Sequence, residues 1–521
     1  MGRGRTQILD IDTFAANLDS TDSWLTPFHG FGPSPFFAGA PDFDFGRYRD
    51  WVSDRFPPRK FSQLEEKMDP TTQFAIGAFI QSLGQNPGIE KELRRLGQAA
   101  HVYVGCGLGA VGTLYDTSIE LYHAQRRWNR FWADPARNSA RAAHEDGSAM
   151  DPEAPPAPDE TEPEERDQRE GAGWGYWAAK SPGLAQYLAE YGEIEALNVE
   201  GDVEAGKLRV MKEKTRRMLR LQKAWAAPTP PWSAVSANAI WNIHNTPAAQ
   251  ISMLGKITGL AFAPVGACST FGLALKLAMD AIQRGEARAV VIGATDPPPH
   301  PLMVGAFYQG RVLSADGGVS KPLHGLRGTH LAGGATIWIV GDYDHFQSLG
   351  YTPLGMEPVS VGTSSDAHHI ITPSSAGPLA AIRQALDDAA AEPADVASWD
   401  LHATATAGDD LEVANLREIL PASVLVTARK GTFGHGMGGA GGWELTAQYL
   451  GYARGKLYPT SLTRDELHPS IGDRHQLFVF DEEAVAPDGY AGKLSMGIGG
   501  INACVLSRPW PVTALAGQGS D

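Results

Sequence analysis

The chain has 521 residues, 43% of them hydrophobic, and a formal charge of −16 at pH 7. That length permits more than one core unit, and the charge excludes a general binder of nucleic acid or of an anionic membrane, both of which would be repelled. The three cysteines, Cys106, Cys268 and Cys504, lie far apart and form no CxxC pair. This argues against a zinc site or a disulfide framework and fits a reducing cytoplasm. The first residues, "MGRGRTQILDIDTFAANLDS", lack the apolar stretch of a signal peptide. No run of about 18 apolar residues predicts a membrane span. A cytoplasmic protein is expected.

Composition divides the chain into three regions, 1–119, 120–232 and 233 onward. The first mixes aromatic loops with a helical stretch, "DPTTQFAIGAFIQSLGQ", in which Phe74, Ile76, Ala78, Phe79 and Leu83 give an apolar face. "AAHVYVGCGLGAVGTL" then reads as a buried strand entering a tight turn. Region 120–232 reads as an insertion. Its centre, "EDGSAMDPEAPPAPDETEPEERDQREGAG", has almost no large apolar residue. Such a stretch cannot offset its ordering entropy, so a disordered loop is expected there. Basic segments, "HAQRRWNRFW" and "KLRVMKEKTRRMLRLQKAW", flank it.

From 233 onward, strand-like runs ("LAFAPVG", "ARAVVIGA", "GATIWIVG", "SVLVTA") alternate with helical runs ("FGLALKLAMDAIQ", "AGPLAAIRQALDDAA"), the pattern of an α/β fold. Cys268 falls in "PVGACSTFG", between a strand and a helix start. Exposed N–H groups and the helix dipole at such a position favour a thiolate, so a lowered thiol pKa is expected. Taken alone, this stretch fits a buried structural cysteine as well as a nucleophile. "DLHATATAGDDLE" places His402 after a strand end, and "TARKGTFGHGMGGAGGWE" places Lys430 and His435 in a glycine-rich loop with Glu444 on the helix that follows. "LSMGIGGINACVL" reads as strand, glycine turn, strand. One cysteine and two histidines in these positions supply a nucleophile and two hydrogen-bond or proton donors.

These motifs together resemble the β-ketoacyl-[acyl-carrier-protein] synthases, the decarboxylating ketosynthases of the thiolase superfamily. "ACSTFG" resembles the family's nucleophile turn. "HATATAGDDLE" resembles HGTxTxxGDxxE with Ala403 for the glycine and one residue fewer, which aligns His402, Thr404, Thr406, Asp409 and Glu412. Lys430, Gly434, His435 and Glu444 fit KxxxxGH with its following glutamate, and "GIGGIN" (497–502) fits GFGGxN. "SSDAHHIITP" (364–373) and "EKMDPTTQFAIGA" (66–78) also resemble family segments.

The resemblance implies a five-layered αβαβα sandwich of two similar halves, interrupted by the insertion. Residues 1–119 and 233–345 would form the N-terminal half, with the nucleophile, and 346–521 the C-terminal half, with the histidines. It implies Cys268, His402, His435 and Lys430 as catalytic, and the backbone N–H groups of Cys268 and Ile498 as the oxyanion hole. Thr404 and Thr406 would bind phosphopantetheine, Glu444 and Asp409 would give structural support, and Met496 and Ile498 would gate the acyl pocket. The implied reaction is decarboxylative condensation of an acyl thioester, held on Cys268, with malonyl-acyl carrier protein in fatty-acid or polyketide-type synthesis. No metal or redox cofactor is implied, since substrates ride on the phosphopantetheine of a carrier protein or of CoA. The implied partners are an acyl carrier protein, with acyl-CoA as an alternative donor, and a second copy of the chain in a homodimer. An initiating enzyme that takes acyl-CoA and a non-catalytic chain-length-factor-like subunit are the competing readings; the retained cysteine and histidines count against the latter.

The chain departs from the family pattern at several points. Met496 and Ile498 replace the aromatic pair of the glycine turn, and "KPLHGLRGTHLAGGAT" places His324, Thr329 and Gly333 where the family has acid, aromatic and acid. No opening "VVVTGxG" strand is evident. Docking of an acidic carrier protein on an acidic chain requires a local basic patch, for which Lys67, Arg126, Arg127 and Arg130, or the stretch from Lys207 to Lys223, are the candidates.

Overall fold

The computed structural model describes residues 10–156, 163–198, 203–472 and 477–510. The chain divides into two compact units, 1–112 with 240–521, and 113–239.

The larger unit holds two mixed β-sheets. Its described elements, in chain order, include α1 (Pro70–Gln85), β1 (Ala100–Gly105), α2 (Thr246–Gly255), β2 (Ala261–Phe262), α3 (Thr270–Gln283), β3 (Ala289–Asp296) and β4 (Gly334–Gly341). There follow β5 (Met356–Ser365), α4 (Ala376–Asp388), β6 (Val396–Asp400), α5 (Gly408–Ile419), β7 (Leu425–Thr427), α6 (Ala440–Ala453), β8 (Leu477–Phe478), β9 (Tyr490–Gly497) and β10 (Ile501–Pro509). The first sheet has the order β2-β1-β3-β4 and the second β8-β7-β6-β9-β10-β5. Strands β1 and β3, buried at every residue, are covered on both faces, as parallel strands between helix layers are.

The start of α1 is set by Asp69, whose carboxylate accepts from Thr71 N at 2.9 Å, with Pro70 at the first helical position where its missing N–H costs nothing. Helices α1 and α2 cover the outer face of the first sheet, with Phe79, Ile76, Ile251 and Leu254 in its core. Helices α3 and α6 lie between the sheets, where Phe271, Leu275, Leu445 and Tyr449 share a core with residues of both. Helices α4 and α5 cover the second sheet through Ile382, Val413 and Leu416, packed with Trp399. The result is the expected αβαβα layering.

The halves match over four strands, and the second sheet carries β8 beside β7 as well. In each, a parallel pair is followed by a strand (β3 or β9) whose neighbour (β4 or β10) runs antiparallel to it. The second sheet then adds β5 against β10. Among the described residues no strand takes the corresponding place beside β4. A cavity of about 810 Å³ runs there instead, lined by all of Gly334–Gly341 and by Phe74, Met279, Trp443 and Trp510. This agrees with the lack of an opening strand motif in the sequence.

The unit 113–239 is helical. Trp128, Trp132, Tyr187 and Leu221 form its core, with Trp128 and Trp132 rings 5.5 Å apart and edge to face. Residues 157–162 of the acidic stretch lie outside the described residues. The rest corrects the expectation of a disordered loop, because Pro163–Ala179 is a helix. Its charges alternate at helical spacing, with Arg166–Glu170 and Arg169–Glu165 paired at 3.3 Å. Such i,i+4 pairs support a helix that buries little.

Candidate active site

Cys268 sits in a single 3₁₀ turn, Ala267–Ser269, that leads directly into α3. Ala267 adopts φ +49°, a conformation forced by the sharp reversal from β2 into the helix. The turn is fastened to the second half. Ser269 Oγ lies 2.9 Å from Ser495 O and 2.7 Å from Ile501 O, and the Ile498 N–H points at the sulfur. A Cβ on Gly497 would lie 2.7 Å from Gly266 O and 3.3 Å from Cys268 N, so the glycine permits this close approach.

The thiol corrects one expectation. Burial pushes its pKa up to about 11 from the ordinary 9.0, against the opposing pull of Lys430 and the Ile498 N–H. Desolvation therefore outweighs the helix start, and the resting group is a thiol. Cys106 and Cys504 are also buried and raised to about 12.

His435 Nε2 lies 3.1 Å from Cys268 Sγ. The His402 ring stands 5.3 Å from that of His435, nearly perpendicular to it. The ligand atoms of the thiol and both imidazoles all fall within 4.8 Å of one another. Burial, then the Lys430 ammonium, holds both histidines well below 6.5, so both are neutral. Lys430 Nζ is 3.4 Å from His402 Nδ1. An ammonium only donates, so Nδ1 is the acceptor and the His402 hydrogen resides on Nε2.

The acidic residues fix the loops that carry these groups. Glu412, on α5, accepts from the backbone N–H of His402 at 2.7 Å and of Ala403 at 2.8 Å. Asp409 accepts from Thr404 N and Leu323 N at 2.8 Å and from Ala405 N at 3.1 Å. Thr404 and Thr406 stand half-buried with their hydroxyls 3.0 Å apart. Glu444 binds Lys430 Nζ at 2.5 Å. Of the expected gate pair, Ile498 is 38% exposed, whereas Met496 packs against the core of the second half. The segment 364–373 is tied to the glycine turn by Asn502 Nδ2 to Asp366 Oδ1 at 2.7 Å and Gly499 N to Ile370 O at 2.7 Å.

Three groups escaped the sequence reading. Asp296, ending β3, accepts from Leu108 N and Gly438 N at 2.7 Å and from Gly107 N at 3.2 Å, and so joins two loops to the end of its own strand. Its only sequence signal is an acid closing an apolar strand. Lys493, fully buried in β9, contacts the second oxygen of Glu444 at 2.8 Å. Arg429 Nε pairs with Asp400 at 2.6 Å beneath the His402 loop.

The departures from the family pattern have local causes. A Cβ on Gly333 would lie 2.3 Å from Pro297 O, so no acid fits there. His324 Nδ1 is 2.5 Å from Glu466 O, a backbone contact that an acid cannot make by donation. Several candidate docking cations are already engaged. Arg126 pairs with Asp167 at 2.6 Å, Arg130 stacks on Trp174 at 4.2 Å, Lys67 lies 4.5 Å from the Trp241 ring, and Arg216 and Arg217 pair with Glu213.

Residues 216–340 match the profile of the β-ketoacyl synthase N-terminal domain and 357–463 that of the C-terminal domain. Nodulation protein E of Rhizobium meliloti is 31% identical over 223 residues, 42% of this chain and 55% of the relative. The 3-oxoacyl-[acyl-carrier-protein] synthase 2 of Staphylococcus aureus is 30% identical over 258 residues, 47% of this chain and 62% of the relative. The chain thus spans little more than half the length of these curated relatives. Two solved structures, the ishigamide ketosynthase/chain length factor and a β-ketoacyl synthase from Burkholderia phymatum, superpose with TM-scores of 0.64 and 0.65 at 17% and 16% identity. Each comparison covers 96% of this chain and 95% of the other. At that identity the superpositions speak for the fold, which is the thiolase-like ketosynthase fold. Residues 216–340 and 357–463 thus resemble the two domains of β-ketoacyl synthases, on a fold shared across the chain.

Proposed function

We propose that this protein is a β-ketoacyl synthase acting by decarboxylative Claisen condensation. The observation that carries this reading is the approach of Cys268 Sγ to His435 Nε2, 3.1 Å, under the Ile498 N–H. In the first step the sulfur attacks the carbonyl of an acyl thioester. The S–H proton passes to the leaving thiol by way of His435, and an acyl-cysteine remains. The Cys268 and Ile498 N–H groups receive the negative charge on the acyl oxygen. A malonyl thioester then breaks its C–C bond to CO₂, and the electron pair enters an enolate. Nε2–H of His402 donates to the enolate oxygen. The enolate carbon attacks the acyl-cysteine, forming the new C–C bond and releasing the Cys268 thiolate, which regains a proton. No step calls for a metal or a redox cofactor.

Thr404 and Thr406, at the half-buried edge of this site, suit the amide groups of a phosphopantetheine arm, on a carrier protein or on CoA. A homodimer is supported by β2, which among the described residues pairs with β1 alone and is flanked by Leu260 and Val265, 55% and 54% exposed. No helix among the described residues is long and apolar enough to cross a membrane.

The test is intact-protein mass after mixing with acyl-CoA and acyl-carrier-protein panels, beside Cys268→Ala. An acyl adduct on the wild type alone supports the reading. No adduct from any donor overturns it in favour of a non-catalytic, chain-length-factor-like subunit.

A further inference from the structure

Glu444 is 0% exposed and lies between two ammonium groups, Lys430 Nζ at 2.5 Å on one oxygen and Lys493 Nζ at 2.8 Å on the other. Lys493 is 1% exposed, on the apolar strand β9, and its Nζ also donates to Leu494 O at 2.5 Å. Burying one lysine beside one glutamate costs several kcal/mol of desolvation. A second lysine on the same carboxylate needs a further reason, since one partner already neutralises Glu444.

The surroundings supply it. Lys493 faces Glu444 on α6, Asp400 at the end of β6 and Glu412 on α5, and beyond them Lys430, His402 and His435; its partner in the sheet is Val505 on β10, and Cys504, opposite Leu494, feels its charge. Its Nζ reaches toward Leu401 O at 3.5 Å, the carbonyl just before His402. Arg429 is committed to Asp400 at 2.6 Å. Lys430 alone would leave a neutral pair with Glu444; the second lysine makes that cluster net positive.

We propose that Lys493 is a positioning residue of this site, completing with Lys430 a two-ammonium clamp on Glu444 and setting the charge that His402 and His435 face. It touches neither substrate nor thiol. It acts through Glu444, which holds Lys430 against His402 Nδ1, and through its field, which opposes protonation of both imidazoles. The proposal rests on the ketosynthase reading only for the chemistry that the histidines serve.

The experiment labels histidine with ¹³C in the full-length protein and follows the His402 and His435 signals against pH, assigned with His402→Gln and His435→Gln. Malonyl-thioester decarboxylation is measured on the same samples. Lys493→Met removes a positive charge, and both protonation midpoints rise by about one pH unit. Glu444→Gln removes a negative charge, and both fall. The double variant restores the local charge and returns the midpoints to near wild type. It still loses decarboxylation about tenfold or more, because Lys430 has lost its anchor. If Lys493→Met does not fold, Glu444→Gln and the double variant carry the same test. Midpoints that stay within 0.2 units across the folded variants overturn the proposal and leave Lys493 a packing residue. Midpoints that move while the wild type shows no decarboxylation uphold Lys493 and overturn the ketosynthase reading instead.

Discussion

The raised thiol of Cys268 is the sharpest quantitative claim that the site makes. With a pKa of about 11, about one molecule in 10⁴ carries a thiolate at pH 7, a hundredfold fewer than for an ordinary cysteine near 9. Lys430 is the strongest charge drawing that pKa down. Lys430→Met removes it while Lys493 keeps Glu444 paired at 2.8 Å, so the carboxylate is not stranded. One unit charge several ångströms away in a site of effective dielectric about 20 is worth about one pKa unit. The rate of iodoacetamide alkylation at Cys268, read by peptide mass in a Cys106→Ala/Cys504→Ala background, is expected to rise tenfold per pH unit up to pH 10 in the parent. Lys430→Met lowers it about tenfold throughout. A parent profile that levels off below pH 9 refutes the reasoning. It would mean that the helix start and the Ile498 N–H outweigh burial.

Three further outcomes are expected. Asp296, buried and raised to about 7 from 3.8, holds its proton more tightly in the folded state. Its contribution to stability is therefore complete below about pH 4 and is lost as pH rises through about 7; Asp296→Asn flattens that part of a Tm-against-pH curve. Gly497→Ala drives a methyl to 2.7 Å from Gly266 O and 3.3 Å from Cys268 N. Acyl transfer to Cys268 falls by about 10²-fold or more in single-turnover mass measurements, the cost of a displaced oxyanion donor. Glu412→Gln presents an amide NH₂ to one of the two N–H groups that Glu412 now accepts. It lowers stability by about 2 kcal/mol in chemical denaturation and weakens decarboxylation more than acyl transfer, since it loosens the His402 loop.

The residues that meet at the site were legible because each lies in a local pattern that serves local geometry. Glycines flank a sharp turn at Cys268, and an acid seven residues after His402 folds back onto its loop. The α/β class was legible from alternating apolar runs, whereas the αβαβα layering came from the family resemblance. What escaped were partners chosen by three-dimensional burial. Lys493 sits in an apolar strand where a lysine has no periodic signature, and Asp296 serves two loops that the sequence places far apart. The thiol pKa was misread because a helix start is visible in sequence, whereas the depth of burial around it is not. The acidic insertion was misread at Pro163–Ala179, where low hydrophobicity concealed charge pairs at helical spacing.

Cys268 and His435 are 167 positions apart, and the Ser269 hydroxyl that pins the Cys268 turn reaches a carbonyl 226 positions on. At roughly 5–20 residues per second, the thiol leaves the ribosome about 10–30 s before His435 and longer before the strand pair that supplies the Ile498 N–H. Contacts of such separation form late and slowly. During that interval Cys268 is an ordinary cysteine on an incomplete half. Competence to react therefore reports completion of the whole fold: a truncated or stalled chain carries the nucleophile without the means to use it.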